Sequence, residues 1–442
     1  MSALFEKSKG KLFFCFQPCL LNSSIYQKNK FRLHYNISIS HHRTVPLAFS
    51  SQSVQNEAPS NPPIKNAPLD ELPAERMCEA LISLEHLRGN VRALQAHLNG
   101  RAHIMGIVKA NAYGHNVHFV ASTLETCGIH NFGVANIHEA LELKQGGALQ
   151  KPATIIAFAS PLPSHLPYFI EHGITMTLCD HATFVAARDI AAALERPLQV
   201  HVKIDSGMGR LGVAPHEAMA LLQAVDASPF LELTGVYTHF ADSATPNSFT
   251  HQQLAIFKTI AAEYEHAAQR TICKHTANSG ALLSLQASWC DMVRPGILLY
   301  GYHPSQECPT QLNVQPVMQV QAKVMFIKKV AAGTSISYNR TWQAPTERFI
   351  ATIAAGYADG YHRLLSNNAA VLINGKRYPQ VGTVTMDQIM VDLGSSHSVQ
   401  VGDSAVLFGW DTLSANELAA QAHTISYEML CAVSARVKRR VV

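Results

Sequence analysis

Several features that would settle the class of this chain at once are missing from it. Its nine cysteines (Cys15, Cys19, Cys78, Cys127, Cys179, Cys273, Cys290, Cys308 and Cys431) are odd in number and contain no CxxC pair and no metal-ligand spacing. Neither a disulfide framework nor a metal site is therefore expected, and a reduced, cytoplasmic setting is the simpler reading. No apolar run approaches the ~20 residues that a membrane-spanning helix needs, so a soluble protein is expected. Charge is also scarce. Asp, Glu, Lys and Arg make up 15% of the chain, the formal net charge is +4, and the basic residues are spread along the chain rather than gathered around the candidate catalytic residues. That distribution gives no support for a nucleic-acid partner.

The chain does have length and apolar content, with 442 residues of which 47% are hydrophobic, enough for more than one buried core. Residues 1 to 56 carry seven Lys or Arg against the single acid Glu6 and show no sustained period, as a disordered basic extension does. Its apolar stretch from Leu12 to Leu21 is interrupted by Gln17 and Pro18 and lacks a small-residue cleavage site, which argues against secretion; organelle targeting or an upstream-shifted start codon fits as well. Pro59, Pro62, Pro63, Pro68 and Pro73 follow as a stiff linker, since proline fixes φ and removes an amide donor. Residues 1–75 are thus expected to lie outside the folded body, which starts near Arg76.

From residue 76 to about 310, short apolar runs alternate with helical patterns. The runs are 104–108, 154–158, 198–204, 233–237 and 292–300, with a helix expected over 117–127. This cadence predicts βαβ units and a parallel sheet, and about 235 residues is close to the ~250 of a (β/α)8, TIM-like barrel. Beyond Pro316 the period changes to two, as in residues 317–324, which predicts antiparallel strands. Asn374-Gly375 between apolar runs signals a hairpin turn, and Ser414 with Glu417 signals a capped helix start. The expected fold class is α/β, with a barrel over 76–310 and a mainly antiparallel β-domain over 311–442.

The sharpest motif is Val108-Lys109-Ala110-Asn111-Ala112-Tyr113-Gly114-His115. It sets a lysine at the end of an apolar strand and just before a helix. Most strand-end lysines are merely solvated, but a partly desolvated one loses its proton more readily and can form a Schiff base with an aldehyde cofactor. A second motif, Lys203-Ile204-Asp205-Ser206-Gly207-Met208-Gly209-Arg210-Leu211-Gly212, places Arg210 among glycines, where its planar fork could take a carboxylate or sit in a surface ion pair. A third group ends successive strands with polar residues: Thr238-His239-Phe240, His275-Thr276-Ala277-Asn278-Ser279 and Val293-Arg294-Pro295-Gly296-Ile297. The catalytic face of a barrel carries residues in this way, although either histidine alone could be a satisfied core residue. In the β-domain, Ser337-Tyr338-Asn339-Arg340-Thr341-Trp342, Gly356-Tyr357-Ala358-Asp359-Gly360 and Met386-Asp387-Gln388 complete the set, with Ile425-Ser426-Tyr427-Glu428 near the end.

Taken together and in this order, these segments resemble the alanine racemases of fold type III, with agreement from about Arg76 to Arg436. The resemblance implies pyridoxal 5'-phosphate as cofactor, alanine as substrate and a head-to-tail homodimer. It makes Lys109 the cofactor lysine and the base on one face of the substrate, and Tyr338, inserted into the partner's site, the base on the other. Racemisation needs a proton-transfer group on each face of Cα. The likeness assigns the phosphate to Tyr113, Ser279, the amides of Gly296 and Ile297, and Tyr427. Arg210 falls beside the cofactor's phenolic oxygen and the substrate carboxylate, Met386 offers its amide to that carboxylate, and Tyr357 stands at the substrate entrance. Arg294 faces the ring nitrogen, within a network of His239, His275 and Asn278, and Asp387 supports the carboxylate loop. In some members of the family the lysine matching Lys203 is carbamylated and steadies the arginine. The implied role is the supply of D-alanine for peptidoglycan in cell-wall biogenesis.

The sequence departs from the family pattern in few places, one being Arg436-Val437-Lys438-Arg439-Arg440 near its end, where a proline is usual. Asn116 and Asn339 stand where glycine is common, and Thr385 replaces a frequent cysteine. None removes a proposed catalytic group. Three other readings lie close by: a broad-spectrum amino-acid racemase, distinguished by pocket size, a non-catalytic barrel that binds pyridoxal phosphate but lacks a second domain, and a basic amino-acid decarboxylase of the same fold type, whose C-terminal pattern with an active cysteine differs.

Overall fold

The computed structural model describes residues 76–309, 312–410 and 413–442. The basic extension and proline linker expected over 1–75 lie outside the described residues. Strand β1 (Cys78–Ile82) is followed by β2 (His103–Ile107), β3 (Asn131–Val134), β4 (Thr154–Ala157), β5 (Thr175–Leu178), β6 (Leu198–Lys203), β7 (Leu231–Tyr237), β8 (Cys273–His275) and β9 (Met292–Val293). Strands β2 to β9 form one eight-stranded parallel sheet in the order β8-β7-β6-β5-β4-β3-β2-β9. The ring closes where Asp291 donates its amide to Lys274 O (3.0 Å) and Arg294 to Ala277 O (2.8 Å). A helix follows nearly every strand, and its start is set by side-chain chemistry. Asn136 caps 137–145, Asp180 caps 181–194, and Asn247 with Thr250 forms a capping box on 248–268. On 181–194, Phe184, Ala187 and Ala191 turn one face onto the barrel, where they are buried.

The apolar run 292–300 does not become one long strand. Pro295 cannot extend the ladder, and the chain turns so that Leu299 N–H donates to Gly296 O (2.9 Å) and Tyr300 N–H to Ile297 O (3.1 Å). Strands β3, β5 and β8, none of which stood out in the sequence, contain four, four and three residues, too few for a period to declare itself.

The second sheet is built on β10 (Met318–Val330), while β11 (Ser335–Ile336) and β12 (Trp342–Gln343) pair as a separate two-stranded sheet; with β10 run β13 (Arg348–Ile353), β14 (Ala370–Ile373), β15 (Lys376–Pro379), β16 (Ile389–Gly394), β17 (Ser404–Phe408) and β18 (Lys438–Val441). A register shift between Val324 and Phe326 lets β10 pair with β1 and β17 in its first half and with β13 in its second. Asn374 and Gly375 take φ of 52° and 75° between β14 and β15, as a primed hairpin turn requires. Residues 78–82 fall inside the span expected to open the barrel, yet β1 joins this second sheet, antiparallel to β10 and parallel to β18. The fold is an eight-stranded parallel barrel followed by an antiparallel sheet domain. No helix among the described residues is long and apolar enough to cross a membrane.

Candidate active site

At the C-terminal ends of the barrel strands lies a cavity of about 370 Å³. Lys109 reaches it from beyond β2, Ala135 from β3, Phe158 from β4, Lys203 from β6, Tyr237 from β7, Asn278 and Ser279 from β8, and Arg294, Gly296 and Ile297 from β9; Tyr113, Arg210, His239 and Tyr427 complete the wall. This is the end of a parallel barrel where functional side chains converge, because the strand ends point inward and the following loops are free to vary.

Lys109 opens an unusual turn. Ala110, Asn111, Ala112 and Tyr113 all have φ between 52° and 54°, making one turn of left-handed helix. That conformation costs an L-residue about 1–2 kcal/mol, so something outside the turn must hold it. At its start, Glu139 accepts hydrogen bonds from the amides of Ala110 (2.9 Å) and Ala135 (2.7 Å) with its two carboxylate oxygens. At its end, Arg439 donates to Gly114 O (2.8 Å) while also binding Val433 O, Ser434 O and Val437 O (2.6, 2.5 and 2.7 Å). Gly114 is needed there twice over: φ is +81°, and an added Cβ would lie 2.4 Å from Leu430 O. Asn116, at φ 75°, accepts from the amides of His118 and Phe119 and caps the next helix, so a residue that tolerates the left-handed region stands in for glycine and adds a cap. Burial, followed by the charges of Arg210 and Arg294, pulls the Lys109 amine below the usual lysine range.

Across the cavity, Arg294 is buried and, among the described residues, has no ion pair with a carboxylate. Its guanidinium donates to His275 O (2.5 Å), Thr238 O (2.9 Å) and Thr276 O (3.0 Å) and contacts His275 Nδ1 (3.0 Å) and His239 Nδ1 (3.4 Å). Burial lowers its pKa to about 10, still well above neutrality. An arginine can only donate, so His275 Nδ1 accepts, its Nε2 carries the proton, and that proton goes to His201 Nδ1 at 2.9 Å. Burial holds His239 and His275 well below the usual histidine range and His201 at about 4, so all three stay neutral. Tyr237 stacks on His275 (4.7 Å, 11°) and is fixed by Thr177 at 2.9 Å. His275 itself sits behind the cavity wall.

The third corner is a set of neutral donors. The Gly296 amide donates to Ser279 Oγ at 3.0 Å, and a Cβ on Gly296 would lie 2.4 Å from the Tyr113 hydroxyl. Only glycine lets backbone and hydroxyl share this cradle. Burial raises the phenols of Tyr113 and Tyr427 far above their ordinary range, so both remain protonated donors. Hydroxyls and amides without a carboxylate among them suit a phosphate dianion. Together with an amine of lowered pKa and an arginine for a ring nitrogen, they fit pyridoxal phosphate.

Lys203 and Arg210 flank a tight loop. Val213 N–H donates to Lys203 O and Asp205 N–H to Val213 O (both 2.9 Å), while Asp205 Oδ1 accepts from the amides of Gly207 and Gly209 (both 3.0 Å). A Cβ on Gly212 would meet Asp205 N at 2.6 Å. Arg210 makes no ion pair among the described residues and turns its charge to the cavity. Lys203 lies 5.6 Å over the Tyr237 ring, and burial brings its amine down to about 8.

The remaining expected site residues stand elsewhere in the chain. Tyr338 is 68% exposed, and Tyr357 and Met386 are also exposed; none of them lines the cavity. They share one platform on the second domain. Ser337 Oγ donates to Thr383 O (2.6 Å), Thr383 Oγ1 donates to Tyr338 O (2.9 Å), Tyr357 N–H donates to Thr385 O and Ala358 N–H to Met386 O (both 3.0 Å). Arg436 grips Asp359 with two bonds of 2.8 Å and reaches Asp387 at 2.9 Å. Asn339 sits at φ 61°, a position glycine would favour and asparagine tolerates. Thr385 closes its own loop by donating to Gln388 O (2.8 Å).

Sequence reasoning missed Tyr237, His201 and Glu139. Tyr237 lies two residues before the noted His239 and His201 two before the noted Lys203, so same-face spacing along a strand was the available signal. Glu139 gave none, because its role lies in a contact made 29 residues away.

The family profile described as the alanine racemase N-terminal domain matches residues 82–304, and that described as the C-terminal domain matches 317–441. The chain is 57% identical over 366 residues to an alanine racemase of Chlorobaculum tepidum, covering 83% of this chain and 96% of that protein. Among solved structures it is similar to the alanine racemase of Clostridium difficile 630, with a TM-score of 0.80, 33% identity, and coverage of 84% and 97%. It is also similar to the alanine racemase of Bartonella henselae with covalently bound pyridoxal phosphate, with a TM-score of 0.75, 29% identity, and coverage of 83% and 100%.

Proposed function

The chain belongs to the alanine racemase family, and from that premise we propose how its own residues interconvert L- and D-alanine with pyridoxal 5'-phosphate. The observation that carries the reading is the convergence of Lys109, Arg294 and the Tyr113–Ser279–Gly296 cradle in one cavity, with Tyr338 exposed outside it. Tyr113, Ser279, Tyr427 and the amides of Gly296 and Ile297 hold the cofactor's phosphate. Bound there, pyridoxal phosphate supplies the electron sink that makes the Cα proton of alanine acidic. Arg294 gives the ring nitrogen a hydrogen bond but no proton, since its charge is retained even at about 10. His275 and His239, kept neutral, orient it.

Lys109 Nζ takes or returns the Cα proton on one face. The partner's Tyr338 does so on the other, which gives one group for each enantiomer. Arg210 and the amide of the partner's Met386 hold the substrate carboxylate, and the partner's Tyr357 lines the way in. Lys203, with an amine at about 8, has an uncharged fraction near neutrality whose nitrogen can bond the carbon of carbon dioxide and lose one N–H proton to solvent, giving a carbamate anion that pairs with Arg210. The working unit is a head-to-tail homodimer, and its product feeds peptidoglycan synthesis in the cytoplasm.

The test is conversion of L- to D-alanine by the purified protein with pyridoxal phosphate, beside Lys109→Ala and Tyr338→Phe and a panel of other amino acids. Alanine-selective turnover, lost in both variants, is expected. Equal turnover of bulky side chains would replace the reading with a broad-spectrum racemase, and a cofactor-dependent absorbance without turnover would leave a binding protein.

A further inference from the structure

The left-handed turn that carries Lys109 contains no glycine before Gly114, and of its residues only Asn111 enters φ near 53° readily, while Ala110, Ala112 and Tyr113 do so at a cost. Within the turn, Asn111 Oδ1 accepts from Val117 N–H (2.7 Å), and its two ends are held by side chains from distant parts of the chain. Glu139 is the first, at the start of the helix 137–145 that follows β3. Its two oxygens join the amides of Ala110 and Ala135, the residues that lead out of the neighbouring strands β2 and β3. Each carboxylate oxygen thus satisfies one strand-end amide, and the spacing of the two strand ends sets where the turn begins. Arg439 is the second. Its guanidinium is shared among four backbone carbonyls, of which Gly114 O ends the turn and the other three belong to residues 433, 434 and 437.

We propose that Glu139, with Arg439 at the opposite end, is a positioning residue for Lys109: the two clamp the left-handed turn and so set the direction in which the amine enters the cavity. This rests on the reading of Lys109 as the cofactor lysine. A carboxylate is required because two donors must be met at once, and a neutral amide side chain would present one acceptor and one donor. Glu139 also faces the amine electrostatically. Around Lys109, Arg210 and Arg294 push its pKa down and Cys431 and Glu139 push it up, while His239, held neutral by burial, Lys203 and the protonated Tyr113, Tyr237 and Tyr427 line the same cavity. Removing the Glu139 charge therefore moves the titration of Lys109 to lower pH.

The experiment uses the full chain and compares wild type with Glu139→Gln, Glu139→Ala and Lys109→Ala. Three things are read: pyridoxal phosphate affinity from the visible absorbance of the bound cofactor and its pH profile, kcat and KM for alanine, and amide exchange without cofactor in peptides spanning 104–116 and 318–330. Loss of a charged, doubly used acceptor should weaken cofactor binding roughly tenfold or more in Glu139→Ala. The wild type's Lys109-dependent absorbance should titrate at lower pH in Glu139→Gln, with kcat falling more than KM rises. Exchange should quicken in 104–116 and stay unchanged in 318–330, which separates a loosened turn from a protein that has lost stability throughout. Unchanged affinity, pH profile and local exchange in both variants would overturn the clamp while leaving the cofactor assignment intact. A wild type without any Lys109-dependent absorbance would overturn the assignment, and the clamp with it.

Discussion

At the scale of single residues, the site is governed by what burial does to charge. Arg294 keeps its proton because it has carbonyl acceptors in place of a carboxylate, and His275 and His201 give theirs up because the charged forms would be buried beside it. This has a consequence for acid stability. His201 and His115 both fall from 6.5 to about 4 in the folded chain, and His239 and His275 also fall well below 6.5. A depressed folded-state value means that the unfolded chain takes up protons first as the pH falls. The stability these neutral histidines provide is complete above pH 6.5 and is lost between there and about 4, at about 3 kcal/mol for His201 alone. Denaturant unfolding across that window should show the loss, with a shallower slope in His201→Asn, whose side-chain oxygen still accepts from His275. A slope that is the same in the variant would contradict a His201 held neutral by burial. The sequence announced Lys109, Arg210 and Arg294 through their motifs. For His201 and Tyr237 it offered only their same-face spacing to Lys203 and His239, because their roles come from stacking and hydrogen bonding across strands β6, β7 and β8.

At the scale of elements, the functional positions are strand ends and turns held in conformations that few residues adopt. Asn116 and Asn339 show how a departure from glycine is accommodated, since both occupy positive φ and asparagine enters that region at the lowest cost among residues with a side chain. Gly296 cannot be treated the same way, because its constraint is space. With a Cβ 2.4 Å from the Tyr113 hydroxyl, Gly296→Ala should displace that donor and lower affinity for pyridoxal phosphate by about tenfold or more, the loss of one hydrogen bond to a charged group. Thermal unfolding without cofactor should change little, since the tyrosine ring can tilt. A fluorescence or absorbance titration gives the first quantity and a melting curve the second. Unaltered affinity would remove Tyr113 from the cradle.

At the scale of the whole molecule, the cavity and the tyrosine platform of one chain stand apart. The platform is nonetheless well built. A small core of Val330, Ile336, Ala344, Ile350 and Val381 lies under it, with Trp342 packed alongside. An exposed tyrosine on a rigid, hydrogen-bonded loop is suited to insertion into a second copy. A head-to-tail dimer then makes a specific prediction. Lys109→Ala and Tyr338→Phe should each be inactive alone, but their mixed dimer contains one site damaged twice and one left intact. Equal co-expression should restore about a quarter of wild-type activity, because about half of the random dimers are mixed and each has one working site. No recovery in mixed dimers isolated by two different affinity tags would show that Tyr338 serves its own chain.

Local sequence determined the alternation of strand and helix, the change to period two after Pro316, the hairpin at Asn374-Gly375 and the order of the chemical motifs, because each depends on residues within a few positions of one another. Contacts between distant segments decided the rest. β1 pairs with β10 and β18, some 240 and 360 residues away, so nothing around residues 78–82 could show that they leave the barrel for the second sheet. The left-handed turn at Lys109 is likewise invisible in Ala-Asn-Ala-Tyr, because its cause is a carboxylate 29 residues downstream and a guanidinium from the last strand. Short-range preference names the residues that can do chemistry, and long-range packing fixes the conformations, some of them costly, that aim those residues at one point.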